Sequence, residues 1–157
     1  MEKLAAHQPP GVLHLAFSVF LVDDGGRVLL QRRSTTKHHF RGRWSNSCCS
    51  HPRPGESVVA AATRRVDEEL GLVVDLHDIG SFSYRAVDPE SGLVEHELDH
   101  VLVGPYDGSP LRPDGREIDA LGWAHVTDMR HALALHPHRF TPWLAPALDV
   151  VEAVASR

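Results

Sequence analysis

The chain has 157 residues, 42% of them hydrophobic and 24% charged, a balance typical of one soluble globular domain with too little chain for two. A formal net charge of −5 argues against a general nucleic-acid binder, and the longest apolar run, residues 15–22, is too short to span a membrane. Because the first residues lack the basic-then-apolar pattern of a secretory signal, we predict a single domain over residues 1–157 in the cytoplasm.

The first half of the chain predicts a hairpin, a long loop and a helix. Residues 13–22 alternate apolar side chains and predict a strand, which a turn at residues 23–26 connects to a second strand over residues 27–31. Residues 32–53 are polar and basic, which predicts a long functional loop with short strand pieces. Residues 57–70 predict a helix, because apolar residues recur at positions 58, 62, 66 and 70 and Gly71 stands where a C-cap glycine belongs.

The second half predicts further strands and two helices. Strands are expected over residues 72–76, 79–87 and 93–103, with a turn at residues 88–92 between the last two. A short strand over residues 121–126 precedes a helix that Thr127 could cap. Thr141 and Pro142 then open a terminal helix, with proline at its first position. These elements predict a mixed α/β sandwich with one central helix.

Two pairs of carboxylates have spacings that suit a metal. Glu56 stands at the entrance of the predicted central helix and Glu69 near its end, and Mg²⁺ prefers a few carboxylates together with substrate phosphates. The alternative is an amphipathic surface helix in which Arg65 and Glu69 form an ion pair four residues apart. Glu95 and Glu97 are two residues apart on a predicted strand, so both carboxylates project from one face.

The central helix and its approach resemble the Nudix box. The matching residues are Glu56, Arg64-Arg65 and, after two residues, Glu68-Glu69-Leu70-Gly71-Leu72. Ser50 stands where the box has its first glycine, and Arg65 stands where it has the first glutamate of an Arg-Glu pair. An arginine cannot bind a metal, but it can bind a diphosphate through paired hydrogen bonds.

The rest of the chain, from Glu2 to about Trp143, resembles the type I isopentenyl-diphosphate isomerases. The matching segments include residues 13–18, Trp44-Ser45-Asn46-Ser47, Cys49-Ser50-His51-Pro52, Tyr84-Arg85-Ala86, Glu95-His96-Glu97 and Pro142-Trp143. The resemblance implies a Nudix-type α/β/α sandwich with a mixed sheet and one central Nudix-box helix. It also implies an enzyme that interconverts isopentenyl diphosphate and dimethylallyl diphosphate by protonation and deprotonation through a tertiary carbocation-like state.

The same resemblance implies roles for individual residues. Cys49 is one of the two acid–base partners and Glu97 is the other, Tyr84 beside Glu97 supports proton delivery, and Trp143 faces the cationic state because an aromatic ring attracts a cation. A thiol near a metal and arginines can have a lowered pKa, which is what we expect for Cys49. Its neighbour Cys48 is interpreted as structural.

The implied ligands divide into three sets. A first-row ion, Mn²⁺ or Zn²⁺, suits a site made of imidazoles and carboxylates, and the candidates are His7, His14, His51, Glu95 and Glu97. Mg²⁺ would be held with the substrate diphosphate by the Glu69 side chain and the backbone carbonyl of Cys49. The diphosphate itself would bind Lys3, Arg33, Lys37 and Arg65.

Two other functions stay open on the sequence. One is a Nudix pyrophosphohydrolase acting on a nucleoside or prenyl diphosphate, against which Arg65 and the setting of Cys49 and His51 argue. The other is a non-catalytic module that binds a metal or a diphosphate. The expected partner is a small prenyl diphosphate, with no nucleic acid and no membrane, and we expect a monomer because no separate apolar stripe is left for an interface.

Overall fold

Seven strands and three helices make up the computed structural model of this protein, which describes residues 11–155. The elements in chain order are β1 (His14–Val22), β2 (Val28–Arg33), β3 (Trp44–Ser45), β4 (Cys48–Ser50), α1 (Val58–Leu70), β5 (His77–Val87), β6 (Val94–Pro105), β7 (Ile118–Ala124), α2 (Val126–Leu135), a 3₁₀ turn (Pro137–Arg139) and α3 (Leu144–Ala155). None of the helices within this range combines the length and apolar character that crossing a membrane requires.

All seven strands belong to one mixed sheet. Its main path runs β3-β2-β1-β6-β5, while β4 pairs with β1 and β7 pairs with β2. The central pair, β1 and β6, is parallel, and the other pairs are antiparallel. The parallel register places His14 opposite Glu97, so the start of β1 and the start of β6 meet at the same edge of the sheet.

The sheet separates two hydrophobic clusters. Successive side chains of a strand point to opposite faces, so Phe17 and Leu21 of β1 join the cluster that packs against α1. Phe20 joins the other cluster, together with Met129 of α2 and Leu148 of α3. Helices therefore cover both faces, which confirms the predicted α/β/α sandwich with a mixed sheet.

The central helix has the ends that its sequence predicts. The side chain of Ser57 accepts a hydrogen bond from the backbone N–H of Ala60 at 3.1 Å, which caps the N-terminus. Gly71 closes the C-terminus with a φ of 73°, a left-handed conformation in which its N–H donates to the carbonyl of Asp67 at 2.8 Å. A Cβ at Gly71 would also lie 3.0 Å from Arg112, so both backbone conformation and space favour glycine.

The predicted strand over residues 72–76 is wrong, because that segment has no strand pairing. Its apolar residues pack across the sheet instead of extending it. Leu72 and Leu76 are buried in the α1-side cluster. A Cβ on Gly104 of β6 would lie 2.6 Å from Val74 and 2.7 Å from Leu76, so the segment lies directly on the strand at that glycine.

The predicted starts of the last two helices also need correction. Helix α2 begins at Val126 after His125, which makes no side-chain cap hydrogen bond, and Thr127 lies inside the helix and does not cap it. Helix α3 begins at Leu144, two residues after Pro142, because residues 141–144 first form a turn in which Leu144 N–H donates to the Thr141 carbonyl at 3.2 Å. Trp143 therefore belongs to the turn.

Candidate active site

Four of the five residues predicted to bind the first-row metal lie close together where the central strands β1 and β6 begin. His14 begins β1, His51 follows β4, and Glu95 and Glu97 lie on β6. One ligand atom from each lies within 4.8 Å of the others, and both carboxylates are buried. Two imidazoles and two carboxylates are a suitable donor set for a first-row divalent ion. The fifth predicted ligand, His7, lies outside the described residues.

The hydrogen bonds of this metal-ligand cluster prepare its donor atoms. His14 Nδ1 bonds the carbonyl of Val12 at 2.7 Å, and because a carbonyl only accepts, Nδ1 carries the proton. In the neutral ring Nε2 then faces the cluster with its lone pair, as is usual for a metal-binding histidine. His51 Nε2 lies 2.9 Å from both His14 Nε2 and Glu97 Oε2. These contacts fit the cluster to a divalent cation.

Hydrogen bonds and charges within the cluster shift the pKa of Glu97 and that of His14. Burial would raise the pKa of Glu97, but hydrogen bonds from His14 and His51 outweigh burial and hold this pKa well below its usual range. Burial likewise opposes the charged form of His14, yet its contact with Glu97 raises the pKa of the imidazole overall. Glu97 is therefore a carboxylate at neutral pH.

Cys49 lies in a pocket on the face of the sheet that carries α3. Its thiol donates to Asn46 Oδ1 at 3.0 Å and accepts from Trp143 Nε1 at 3.1 Å. Burial, reinforced by the negative charge of Asp99, raises the pKa of the Cys49 thiol to about 12. The expectation of a lowered pKa is therefore wrong, because burial and Asp99 outweigh the stabilising charge of Arg33. The thiol is protonated at neutral pH.

Tyr84 is bonded directly to Glu97. Its hydroxyl donates to Glu97 Oε1 from the neighbouring strand β5. Burial and the negative charges of Glu97, Glu95 and Asp99 raise the pKa of Tyr84 well above its usual value, so the phenol remains protonated. The structure therefore places the predicted assisting residue on the carboxylate that it was expected to assist.

The indole ring of Trp143 forms one wall of the pocket. The side chain is 3% exposed, and its Nε1 also donates to Asn46 Oδ1 at 3.2 Å. The guanidinium of Arg33 lies 5.3 Å from the ring centre, and the ring of Phe40 packs edge-on at 5.8 Å. The ring thus makes a cation–π contact with Arg33, and the role of Trp143 towards a cationic intermediate stays a prediction.

The predicted diphosphate ligands lie in two places. Arg33 is 5% exposed and lines the pocket, and its Nε has no hydrogen-bond partner among residues 11–155. Lys37 forms an ion pair with Glu117, and Arg65 lies 3.6 Å from the same carboxylate. The remaining candidate, Lys3, lies outside the described residues.

Arginines form ion pairs with the Nudix-box carboxylates. Arg64 binds both oxygens of Glu56 at 2.9 Å and lowers the pKa of that carboxyl to about 2. Arg65 donates to Glu68 at 2.6 Å and to Glu69 at 2.7 Å. Glu69 is 3% exposed on the face opposite Cys49, and it does not belong to the metal-ligand cluster. Its Mg²⁺ role stays a prediction.

Four residues with close contacts to the site were given no role from the sequence. His39 pairs with Glu95, Asn46 accepts from the Cys49 thiol, and the hydroxyl of Ser18 donates to the buried carboxyl of Asp99 at 2.9 Å. Asp99 continues the two-residue spacing of the carboxylates on β6, which is a signal that could have found it. A histidine within a polar loop carries no such signal.

A Nudix-domain family model matches residues 12–144 of the chain. A protein of Nocardia farcinica named isopentenyl-diphosphate Delta-isomerase is 51% identical over 148 residues, covering 94% of this chain and 84% of that protein. A protein of the same name from Halorhodospira halophila is 48% identical, covering 90% of this chain and 81% of the relative. The chain carries a Nudix domain and belongs to the isopentenyl-diphosphate Delta-isomerase family.

Solved Nudix structures share the fold of this isomerase-family member. A MutT protein from Methanosarcina mazei Go1 superposes with a TM-score of 0.75 at 16% identity, covering 92% of this chain and 96% of the other. A MutT Nudix hydrolase from Burkholderia pseudomallei superposes with a TM-score of 0.69 at 23% identity, covering 89% and 98%. At these identities the likeness establishes the fold alone.

Proposed function

We propose that this chain interconverts isopentenyl diphosphate and dimethylallyl diphosphate. One observation supports this most strongly: a protonated thiol, Cys49, and an ionised carboxylate, Glu97, line the same small pocket. Moving a terminal double bond requires a proton to be added at one carbon and another to be removed from a carbon two positions away. An acid and a base in one pocket supply those two steps.

We assign Cys49 as the acid and Glu97 as the base of the forward reaction. The terminal CH₂ carbon takes the proton of the Cys49 thiol, and the electrons of the double bond form the new C–H bond. The tertiary cation that results loses a proton to Glu97 from the CH₂ bonded to the cationic carbon on the diphosphate side, and the electrons of that C–H bond become the new double bond. The proton then returns from Glu97 to the Cys49 thiolate before the next turnover. In the reverse reaction the two groups exchange roles, and Tyr84, bonded to Glu97, stabilises the carboxylate.

The pocket wall protects the cationic state. Trp143 presents a π face that attracts positive charge. A buried, enclosed setting also excludes water, which would otherwise add to the cation and give an alcohol. Arg33, whose buried Nε has no partner among residues 11–155, is a donor available to the diphosphate. We include Lys3, Lys37 and Arg65 in the same role.

Two metals complete the proposal. A first-row ion, Mn²⁺ or Zn²⁺, would be held by His7, His14, His51, Glu95 and Glu97, and the donor set and fixed tautomer of His14 support this assignment. When bound, this ion supplies positive charge that keeps the buried carboxylates in place. Mg²⁺ would bind with the diphosphate at Glu69 and the backbone carbonyl of Cys49.

The arginine pairs favour isomerisation over hydrolysis. A hydrolytic metal cluster on α1 would use the first glutamate of the box's Arg-Glu pair, and Arg65 stands in that position. An arginine cannot bind a metal, so that cluster would lack one of its carboxylates. The Arg65 guanidinium contacts Glu68 and Glu69, and Arg64 binds both oxygens of Glu56.

The test is ³¹P and ¹H NMR of the purified chain with isopentenyl diphosphate, Mg²⁺ and Mn²⁺. We expect dimethylallyl diphosphate to accumulate to equilibrium with the diphosphate intact. Release of inorganic phosphate or diphosphate would support the hydrolase. Unchanged substrate in the presence of measurable metal binding would support the non-catalytic module and contradict the proposal.

A further inference from the structure

His39 contacts the metal-ligand cluster from a loop that carries no predicted ligand of that cluster. Its Nε2 pairs with Glu95 Oε1, and the two residues are 4% and 2% exposed. We propose that His39 is a positioning residue that fixes the Glu95 carboxylate for metal binding. The inference rests on the proposed first-row metal centre and adds a residue to which no role in it was assigned.

The loop between β2 and β3 is built to hold His39 in this place. The carbonyl of His39 accepts a hydrogen bond from Arg33 at 3.0 Å. The next residue, Phe40, has a φ of 49°, a left-handed conformation that is unfavourable for a bulky side chain. The backbone N–H of Phe40 donates at 3.2 Å to Asp88, whose carboxylate is buried. Such a conformation persists only where surrounding contacts enforce it.

Phe40 adds a packing contact to these polar ones. Its ring packs edge-on against the ring of His39 at 5.9 Å and against Trp143 at 5.8 Å. The imidazole is therefore held between an aromatic ring and a buried carboxylate. Few alternative rotamers are open to a side chain confined in this way.

The chemistry of the pair suits a supporting role. A carboxylate has two oxygens, so Glu95 can accept from His39 at Oε1 and still offer its other oxygen to a metal. Hydrogen bonds to the ligands of a metal orient those ligands, and their loss typically lowers metal affinity by about 10–100-fold. Arg33 donates a hydrogen bond to the carbonyl of His39. The same loop therefore contacts both the arginine proposed to bind the diphosphate and the carboxylate proposed to bind the metal.

The test compares three variants at neighbouring positions. His39→Leu keeps most of the side-chain volume without an N–H donor, whereas His39→Gln keeps a donor near the position of Nε2. His38→Leu is the matched control, because His38 is exposed and precedes His39 in the same loop. Metal-free protein is titrated with Mn²⁺ and Zn²⁺ against a chelating dye of known affinity, and near-ultraviolet circular dichroism checks the fold of each variant.

We expect His39→Leu to bind the metal about 10–100-fold more weakly than wild type, with His39→Gln and His38→Leu close to wild type. A second variant, Asp88→Asn, leaves the imidazole intact but weakens the loop, and it should lower metal affinity to a smaller extent. If His39→Leu does not weaken binding, the proposal is wrong, whatever the result for Asp88→Asn. Equal losses in His39→Gln and His39→Leu would also overturn it, because a retained donor would then have no effect.

The outcomes also separate this proposal from the one on which it rests. If the wild-type chain bound neither Mn²⁺ nor Zn²⁺, the metal centre itself would be wrong and His39 would lose its role with it. If wild type binds the metal and His39→Leu binds it as tightly, the metal centre stands and only the role of His39 is rejected.

Discussion

The two faces of the sheet carry different chemistry, and the adjacent residues Cys48 and Cys49 mark the difference. Cys48 points to the α1 side, where it lies 3.5 Å from Glu69 in the hydrophobic cluster. Cys49 points to the α3 side, where its thiol contacts Asn46 and Trp143 in the pocket. Burial raises the pKa of both thiols, so a perturbed pKa alone would not distinguish them. The residues that surround each thiol distinguish the two cysteines.

The α1 side shows why a Nudix box does not by itself define the reaction. Arg65 replaces the first glutamate of the box's Arg-Glu pair, and the retained Glu56, Glu68 and Glu69 form ion pairs with Arg64 and Arg65. On the α3 side, Glu97 is held ionised by imidazoles and faces the pocket of a protonated thiol. The proposed reactive groups, Cys49 and Glu97, thus lie across the sheet from the helix that carries the Nudix box.

The largest expected effect comes from replacing each of the two cysteines with alanine. Cys49→Ala removes the proposed acid and should lower isomerase turnover by about 10²–10⁴-fold, the usual contribution of a general acid or base. Cys48→Ala is the matched control and should lose stability while retaining most of its turnover. Initial rates from ¹H NMR and urea unfolding midpoints measure the two effects. Substantial turnover in Cys49→Ala would contradict the assignment of the acid.

A second prediction compares an aromatic ring on each face. Trp143→Leu removes the π face from the pocket and should reduce kcat by about 30-fold, corresponding to ~2 kcal/mol for a desolvated cation–π contact. Trp143→Phe keeps a π face and should lose less. Trp123, which packs against Tyr106 in the α1-side cluster, provides the control. An equal loss of kcat in Trp123→Leu would show that the effect is only structural.

Some elements of the fold were predictable from the sequence and others were not. The helix over Val58–Leu70 was predictable because its period, its Ser57 cap and its Gly71 cap are all local. The Leu72–Leu76 segment was not, because a short apolar run predicts a strand whether its backbone pairs or its side chains only pack. Gly104, the glycine on which the segment lies, is some thirty residues away in the sequence.

The candidate site was likewise predictable from the sequence only in part. Resemblance selected His14, His51, Glu95 and Glu97, and the structure brings them together through the parallel pairing of β1 and β6. The raised pKa of Cys49 was not predictable, because it depends on burial and on a carboxylate fifty residues further along the chain.

A third prediction concerns Glu117, which contacts both Lys37 and Arg65. A carboxylate on these cations competes with a diphosphate for them, so Glu117→Gln should lower KM for isopentenyl diphosphate. With ion pairs at partly exposed positions worth up to about 1 kcal/mol, the change in KM is roughly five-fold. Glu90→Gln, which breaks the exposed pair with Arg41, should leave KM unchanged. An increased KM in Glu117→Gln would mean that this carboxylate assists binding.

The smallest effect concerns stability against acid on the α1 side. Arg64 lowers the folded pKa of Glu56 from 4.5 to about 2. A lowered folded pKa gives stability that is present above pH 4.5 and is lost as the pH falls towards 2. The urea unfolding midpoints of wild type and Glu56→Gln should therefore differ at pH 6, and the difference should shrink steadily as the pH falls from 4.5 towards about 2. Because the pair is exposed, the difference should be small. A gap that widens on acidification would reverse the sign.

The most direct test of the central claim is ¹H and ²H NMR of the reaction in D₂O with isopentenyl diphosphate, Mg²⁺ and Mn²⁺. Protonation by a solvent-exchanged thiol predicts dimethylallyl diphosphate with deuterium in a methyl group, because the new C–H bond forms at the former terminal CH₂ carbon. Conversion to a product that carries no solvent deuterium would mean that hydrogen moves within the substrate, and it would contradict an acid and a base acting from Cys49 and Glu97.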